Sequence, residues 1–342
     1  MFSWLRESAI FLIRRLISII IVLLGVCTIA FIITRMLGNP VYLLVGQQAD
    51  QEILDNLIHQ MGLDRPLYEQ YFRYLGTVLQ GDFGISRYTY RPVLDEIAFR
   101  LPATLELVLA AMTITIVFAI PLGILAAARP GSIFDRLCAL ISQFGVSMPN
   151  FWVGLIFIYV FYFLLKILPA PLGRLDATLR APAEVTRLFL IDSIIAGNFV
   201  TFKSALSHLI LPAVTLSLSS APSTLQITRT ALIHILSSDY IRTARAYGMP
   251  NRSIYYRYAL KNAIVPIITM LAMTFGFLMS GTVLVETVFN WPGLGLYAVD
   301  SMHHFDYEPI VGVVFLSALF YVLAYLVADI ITYTIDPRIR AE

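Results

Sequence analysis

Six basic side chains, Arg229, Arg242, Arg245, Arg252, Arg257 and Lys261, stand against one acid, Asp239, between positions 229 and 261. Fixed charge of one sign breaks no bonds; it holds an anionic surface, or keeps a loop on the positive-inside face of a membrane. Other reactive side chains are sparse. His59, His208, His234, His303 and His304 are scattered, and only the pair His303 and His304 hints at a ligand set. Neighbours in sequence point apart on a helix or strand, so a surface place suits that pair better. The chain has no G-x-x-x-x-G-K-[ST] phosphate loop, no H-E-x-x-H helix and no G-x-S-x-G elbow. No catalytic residue and no metal site are expected. The two cysteines, Cys27 and Cys138, fall in apolar runs as small packing residues.

The basic residues belong to a polar insert, 237–266, set between two long apolar segments. Ser238 or Asp239 can cap a first helix, Gly248 can end it, and Pro250 suits the first turn of a second, which describes a helical elbow. Ile241, Ala244 and Gly248 recur at spacings of three and four. One face of the first helix is therefore small and apolar, while Arg242 and Arg245 share the opposite side. A capped helix with a knob-like face reads as a docking element for another protein; the plainer alternative is an ordinary basic cytoplasmic loop.

The elements around the insert are those of an all-α integral membrane protein. Of 342 residues, 58% are hydrophobic and 13% charged, with a mean hydropathy of +0.77, against about 25% charged in a soluble domain. A net charge of +2 is too small to imply nucleic-acid binding. A bilayer needs roughly 20 apolar residues, and six stretches supply them: 16–37, 104–128, 137–165, 209–227, 263–285 and 310–328. Arg6, Arg14 and Arg15 before the first, Arg129 and Arg136 after the second, and Arg338 and Arg340 at the end place both termini in the cytoplasm. The first segment is longer than a cleavable signal core, and no small-residue cleavage site follows, so it is read as a retained helix.

Within those six cores the only Asp, Glu, Lys, Arg or His residues are Arg35, at the far end of the first, and Glu106, at the start of the second. Pro102 suits a helix start there and Glu106 a first-turn, dipole-facing place. Ion-coupled carriers bury such groups near the midplane, so a self-contained secondary transporter is disfavoured and the driving force must come from a partner. Pro149 should bend the third span, and the Ser- and Thr-rich fourth span suits close helix packing or pore lining. Between the first two spans, 38–101 holds five basic to eight acidic residues, the opposite balance to the cytoplasmic loops, and reads as a small helical extracytoplasmic lobe. Ile53, Leu57, Ile58 and Met61 have helical spacing there, with Gly62 as a stop; Gly81 and Gly84 around Asp82 make a tight turn or serve a substrate. A second external loop is expected over 166–208.

Residues 242–248, Arg-Thr-Ala-Arg-Ala-Tyr-Gly, followed by 263–266, Ala-Ile-Val-Pro, resemble the "EAA" coupling loop of ABC-importer permeases. An arginine at the usual acidic position and a longer gap from Gly248 to Pro266 are similar to one branch, the permeases of dipeptide, oligopeptide and nickel importers. Met61-Gly62-Leu63-Asp64-Arg65-Pro66-Leu67, Gly81 to Ser86, Arg91-Pro92-Val93 and Trp291-Pro292-Gly293-Leu294-Gly295 resemble the same branch, in order along nearly the whole chain to Asp336-Pro337-Arg338.

That resemblance implies six transmembrane helices in a type I ABC importer permease fold. The divisions follow: 1–37 as N-terminal segment and first helix, 38–101 as lobe, 102–336 as permease core with a coupling loop at 237–262, and 337–342 as a cytoplasmic tail. It implies that Asp239, Tyr240, Ile241, Arg242, Thr243, Ala244, Arg245, Ala246, Tyr247 and Gly248 couple to the ATPase. Asn290, Trp291, Pro292, Gly293, Leu294 and Gly295 are implied to touch the pathway and the external binding protein, although an interfacial Trp with a Pro-Gly turn accounts for them equally. The implied partners are a homologous permease subunit in a heterodimer, two cytoplasmic ABC ATPase domains carrying the ATP and Mg, an extracytoplasmic solute-binding protein and the lipid bilayer of a bacterial or archaeal inner membrane. Short peptides are the default substrate, with nickel chelates, glutathione and sugars left open. An ATP-independent channel or facilitator is the rival, and a non-transport scaffold a third reading.

Overall fold

The computed structural model describes residues 2–36, 51–60 and 62–335. Asp336, the tail 337–342, residues 38–50 of the lobe and Met61 lie outside the described residues. Everything regular in it is helical, with one isolated antiparallel bridge between Ile85 and Pro92. In chain order the helices are α1 (Phe2–Met36), α2 (Gln51–Gln60), α3 (Leu67–Leu79), α4 (Val93–Ala128), α5 (Ile133–Ser147) and α6 (Asn150–Phe157), the last continued by a π-helical segment, Ile158–Leu164. Then come α7 (Phe189–Ile195), α8 (Phe199–Leu236), α9 (Asp239–Ala246), α10 (Asn251–Gly281), α11 (Val283–Val288), α12 (Leu294–His303) and α13 (Tyr307–Ile335).

Five helices among the described residues are long and apolar enough to cross a membrane, or six if the bent pair α5 and α6 makes one span. The expected third span is therefore no single helix. Met148 and Pro149 are both extended, with ψ of 131° and 132°, and the two halves meet at 102°; a proline cannot supply the missing N–H and pushes its predecessor out of the helical region. The second span also begins earlier than expected. Pro92 precedes it and Asp95 and Glu96 occupy its first turn, leaving Pro102 and Pro121 inside the helix, where neighbouring helices can compensate the lost bonds. The fourth starts at Phe199, ten residues before the expected 209, with Asn198 accepting from the Thr201 amide at 3.1 Å as its cap. The fifth stops at Gly281, and Glu286 sits on the separate short helix α11.

The chain divides into two compact units. One comprises residues 1–100 and 297–319, so the lobe shares its unit with α1. There the Thr28 hydroxyl meets Tyr71 at 2.7 Å, and Phe31 packs edge-on against Tyr71. Gly62 stops α2 as expected: at φ +64° it lets Leu63 N–H reach back to the Ile58 carbonyl at 2.9 Å. Gly81 and Gly84, both at positive φ, shape the turn before a small hairpin in which Ser86 N–H bonds Arg91 O and Val93 N–H bonds Gly84 O.

The other unit, residues 101–296 and 320–342, is built around α8, against which α5, α6, α7, α9, α10 and α11 pack. Helices in lipid gain little by exchanging tails for each other's leucines, so close backbone approach must hold them. A Cβ on Gly145 of α5 would stand 2.7 Å from the Leu218 carbonyl of α8, and one on Gly123 of α4 would stand 2.9 Å from the Leu225 carbonyl. The small hydroxyls of α8 bond mostly within their own helix, as Thr228 does to the Thr224 carbonyl, while Ser220 meets Thr115 of α4 at 3.0 Å. Close packing accounts for the buried ones among them, Thr215, Ser217, Ser220 and Thr224. Replacing Gly145 with Ala should cost about 1–3 kcal/mol by overpacking, seen as a lower unfolding temperature in detergent. Gly25→Ala on α1, where a Cβ meets nothing within 4 Å, should leave that temperature unchanged or raise it.

Candidate functional site

The basic insert folds as the expected elbow, with two changes. Ser238 holds the N-cap position of α9, but its hydroxyl donates to Ile235 O at 2.6 Å, so no side chain caps the helix. At the other end Gly248, φ +73°, completes a left-handed stop: its N–H bonds Arg245 O at 2.9 Å and the Met249 N–H bonds Ala244 O at 3.2 Å. The second change concerns the small apolar face. Ile241 is fully buried and turns inward against α8 and the π-helical turn Ile254–Ala259 that opens α10. Ile241 is thus the anchor of α9, not part of a knob offered outward. The Tyr240 hydroxyl adds a tie by accepting from Asn262 Nδ2 at 3.0 Å. What faces water is the opposite side: Arg242, Thr243, Arg245, Ala246 and Tyr247, the last 82% exposed, with Asp239 paired to Arg242 at 3.4 Å and Ala244 half-buried.

The stretch 290–295 lies differently. Trp291, Gly293, Leu294 and Gly295 are buried, and only Asn290 and Pro292 remain open to a partner. Trp291 is no interfacial tryptophan: it is 1% exposed and donates Nε1–H to the Ala103 carbonyl at 2.9 Å. Asn290, at φ +47°, turns the chain in a conformation that asparagine tolerates.

Beneath this loop is the residue that sequence reasoning overlooked. Glu286 has no exposed surface; its Oε1 accepts from Thr104 Oγ1 at 2.7 Å and its Oε2 from the Leu296 N–H at 3.0 Å, while the Thr104 oxygen accepts from Leu294 N–H at 2.8 Å. The glycines exist for this approach. A Cβ on Gly293 would stand 2.4 Å from both Glu286 Oε1 and Thr104 Oγ1. The legible signal was an acid at the end of an apolar run, followed by a turn with two glycines. Burial pushes the Glu286 pKa above the usual carboxylate value.

Next to it, Glu106 is neither first-turn nor helix-capping. It lies inside α4, 6% exposed, and takes Arg174 Nη2 at 2.6 Å and the Leu190 N–H at 2.8 Å. The Arg174 guanidinium stacks 3.5 Å over Phe189 and lies 5.8 Å from the Trp291 ring. Asp192 of α7 gathers the N–H groups of Val185, Thr186 and Arg187. Burial works against its charge, but those bonds and the Thr186 hydroxyl prevail and hold its carboxyl below the usual range. The loop over 166–198 is thus tied to the same part of α4 as the Trp-Pro-Gly loop. Among the described residues no group of three or more His, Cys, Asp or Glu could hold a metal; His304 Nδ1 meets the Asp300 carbonyl at 2.7 Å, and its ring stacks on Tyr88.

Comparison with known proteins agrees in kind. The family described as "Binding-protein-dependent transport system inner membrane component" matches residues 119–341, and its N-terminal companion matches 9–108. The chain is 44% identical, over 94% of its length and 95% of the relative's, to the protein named "Probable D,D-dipeptide transport system permease protein DdpB" of Escherichia coli (strain K12). It is 37% identical, over 97% and 99%, to the di/tripeptide transport system permease protein DppB of Pseudomonas aeruginosa (strain UCBPP-PA14). With the glutathione transport system permease protein GsiC of Escherichia coli (strain K12) it shares 36% identity over 96% and 98%.

Glu286→Ala leaves the Thr104 hydroxyl and the Leu296 N–H buried without an acceptor, about 1–3 kcal/mol for each; Glu286→Gln keeps one acceptor and should cost less, as thermal unfolding in detergent will show. Because the folded carboxyl binds its proton more tightly than the unfolded one, its contribution is complete below the ordinary glutamate value and is lost as pH rises through the elevated one. The Gln variant should lack that loss.

Proposed function

The chain belongs to the family of binding-protein-dependent transport system inner membrane components, and on that premise we propose that it forms half of an importer's passage for short peptides, driven through α9. A transport system of this kind works with an external binding protein and an ATPase, and this chain is its membrane-spanning, non-catalytic part. One observation carries the finer reading. α9 is fastened to α8 and α10 by buried Ile241 and the Tyr240–Asn262 bond, yet turns arginines and a tyrosine outward, in a chain whose sequence has no nucleotide-binding loop.

In this reading α9 seats in a cleft of a cytoplasmic ATPase subunit, where ATP and Mg are held. Closure of two such subunits pushes on α9, and through Ile241 the push reaches α8 and the π-helical start of α10. Both are rigid elements, so they tilt rather than bend, exchanging an inward-open cavity for an outward-open one. A homologous second permease supplies the facing wall. Both termini lie with α9 on the cytoplasmic side. The binding protein meets the outer ends of the helices, where Asn290 and Pro292 are reachable while Trp291 is not. Short peptides are the substrate class, because the relatives are named for D,D-dipeptides, di- and tripeptides and glutathione, and it is the binding protein that selects among them.

Arg245→Glu combined with Tyr247→Ala alters two exposed side chains. We expect the variant to fold and insert normally but to lose at least about tenfold in co-isolated ATPase and in uptake, the effect of removing about 1.4 kcal/mol of interface energy. Undiminished ATPase association and uptake would overturn the assignment of α9 as the docking element, whereas peptide flux into liposomes from this chain alone without nucleotide would replace the importer with a facilitator.

A further inference from the structure

Within the unit formed by residues 1–100 and 297–319, the end of α1 and the beginning of α13 border two adjoining cavities. The first, about 280 Å³, is polar; Arg35, Tyr74, Asp82, Arg87, Tyr307 and Glu308 line it. The second, about 540 Å³, has no charged side chain on its wall, which Val26, Ile29, Ala30 and Ile33 of α1 share with Ile310 and Val314 of α13. Thr34, Tyr307 and Val311 line both, so the cavities meet there.

The polar cavity is chemically unfinished. Arg35 Nε, the Tyr74 hydroxyl and Glu308 Oε2 are buried without a hydrogen-bond partner among the described residues, although Glu308 Oε1 takes Arg87 at 2.6 Å. Each orphan of this kind costs about 1–3 kcal/mol, so three on one cavity point to something that normally bonds them. Position identifies its nature. Arg35 is next to last in the apolar span Ile13–Met36, the depth at which lipid headgroups begin. From there positions 26, 29, 30 and 33 carry an apolar strip down α1 for about 10 Å, matched by positions 310, 311 and 314 on α13.

We propose that the two cavities hold one phospholipid with an amine-bearing zwitterionic headgroup. Its phosphate lies on Arg35, its ammonium on Glu308 and Asp82, and one acyl chain in the groove below. A free peptide zwitterion offers the same two charges but no acyl chain to fill the groove; an anionic lipid such as phosphatidylglycerol fills the groove but offers Glu308 Oε2 only neutral hydroxyls and no cation. The site depends on this unit's geometry alone and not on the transport reading.

The test loads the full chain, extracted in mild detergent, with equal amounts of phosphatidylethanolamine, phosphatidylglycerol and phosphatidylcholine, and counts retained lipid by native mass spectrometry. Phosphatidylethanolamine should be retained preferentially, since the quaternary amine of phosphatidylcholine donates no hydrogen bond. Arg35→Gln should cut its retention roughly tenfold. Val314→Trp, at a position 47% exposed and so safe for folding, should fill the groove and do the same with the headgroup contacts intact. Glu308→Gln should abolish the preference over phosphatidylglycerol. Equal retention of the three lipids, a preference for phosphatidylglycerol, retention unmoved by Val314→Trp, or displacement of the lipid by a short peptide would each overturn the proposal.

Discussion

Hydrocarbon solvates neither a peptide group nor a charge, and it rewards no leucine for leaving it. The whole architecture answers that constraint. Backbone groups close their bonds within helices. Helices then associate where glycine lets backbones approach, as Gly123 and Gly145 do against α8, and Gly276 against the Tyr321 ring. The long apolar faces that would build the core of a soluble protein are instead left outward: Ile17, Ile20 and Ile21 of α1 are each at least half exposed. In water that surface would be an aggregation hazard; in a bilayer it is the solvent contact.

The same constraint sorts the charges. Longer helices bring ionisable residues into elements whose cores contained Arg35 and Glu106 alone, and the buried acids Asp135, Glu106 and Glu286 are each answered by a partner. Asp135 near the start of α5 takes Arg229 of α8 through both oxygens and the Gly131 N–H as well. Glu106 takes Arg174. Glu286, without a cation, is satisfied by a hydroxyl and a backbone amide in a pocket that only glycines could enclose. Buried pairs of this kind add little net stability, but losing one partner strands the other.

The two stretches singled out as functional therefore differ in physical character. The loop at 290–295 is an internal strut, its tryptophan and glycines spent on holding Glu286 and the head of α4. The elbow is the reverse: a single buried isoleucine and a tyrosine hydroxyl hold it, and nearly everything else on α9 is turned to water. A helix of eight residues has little stability of its own, so α9 is held folded by its seat on α8 and α10.

Much of this was written in the order of residues. Hydropathy located the membrane segments, glycines at 62 and 248 marked helix ends because no other residue enters the left-handed region cheaply, and the motif order from the lobe to the Trp-Pro-Gly turn indicated the family. Ranges erred where local signals were outvoted: Pro102 looked like a beginning but sits inside α4, since packing in lipid tolerates a missing N–H, whereas Pro149 breaks its helix outright. What a linear string cannot hold is which side of α9 faces inward, that Glu286 lies beneath a loop whose Leu296 is ten positions away, or that Glu106 meets Arg174. Those pairings join segments that the string keeps apart, and they were decided by the folded packing, which brings a buried donor and its acceptor together where no water can serve either.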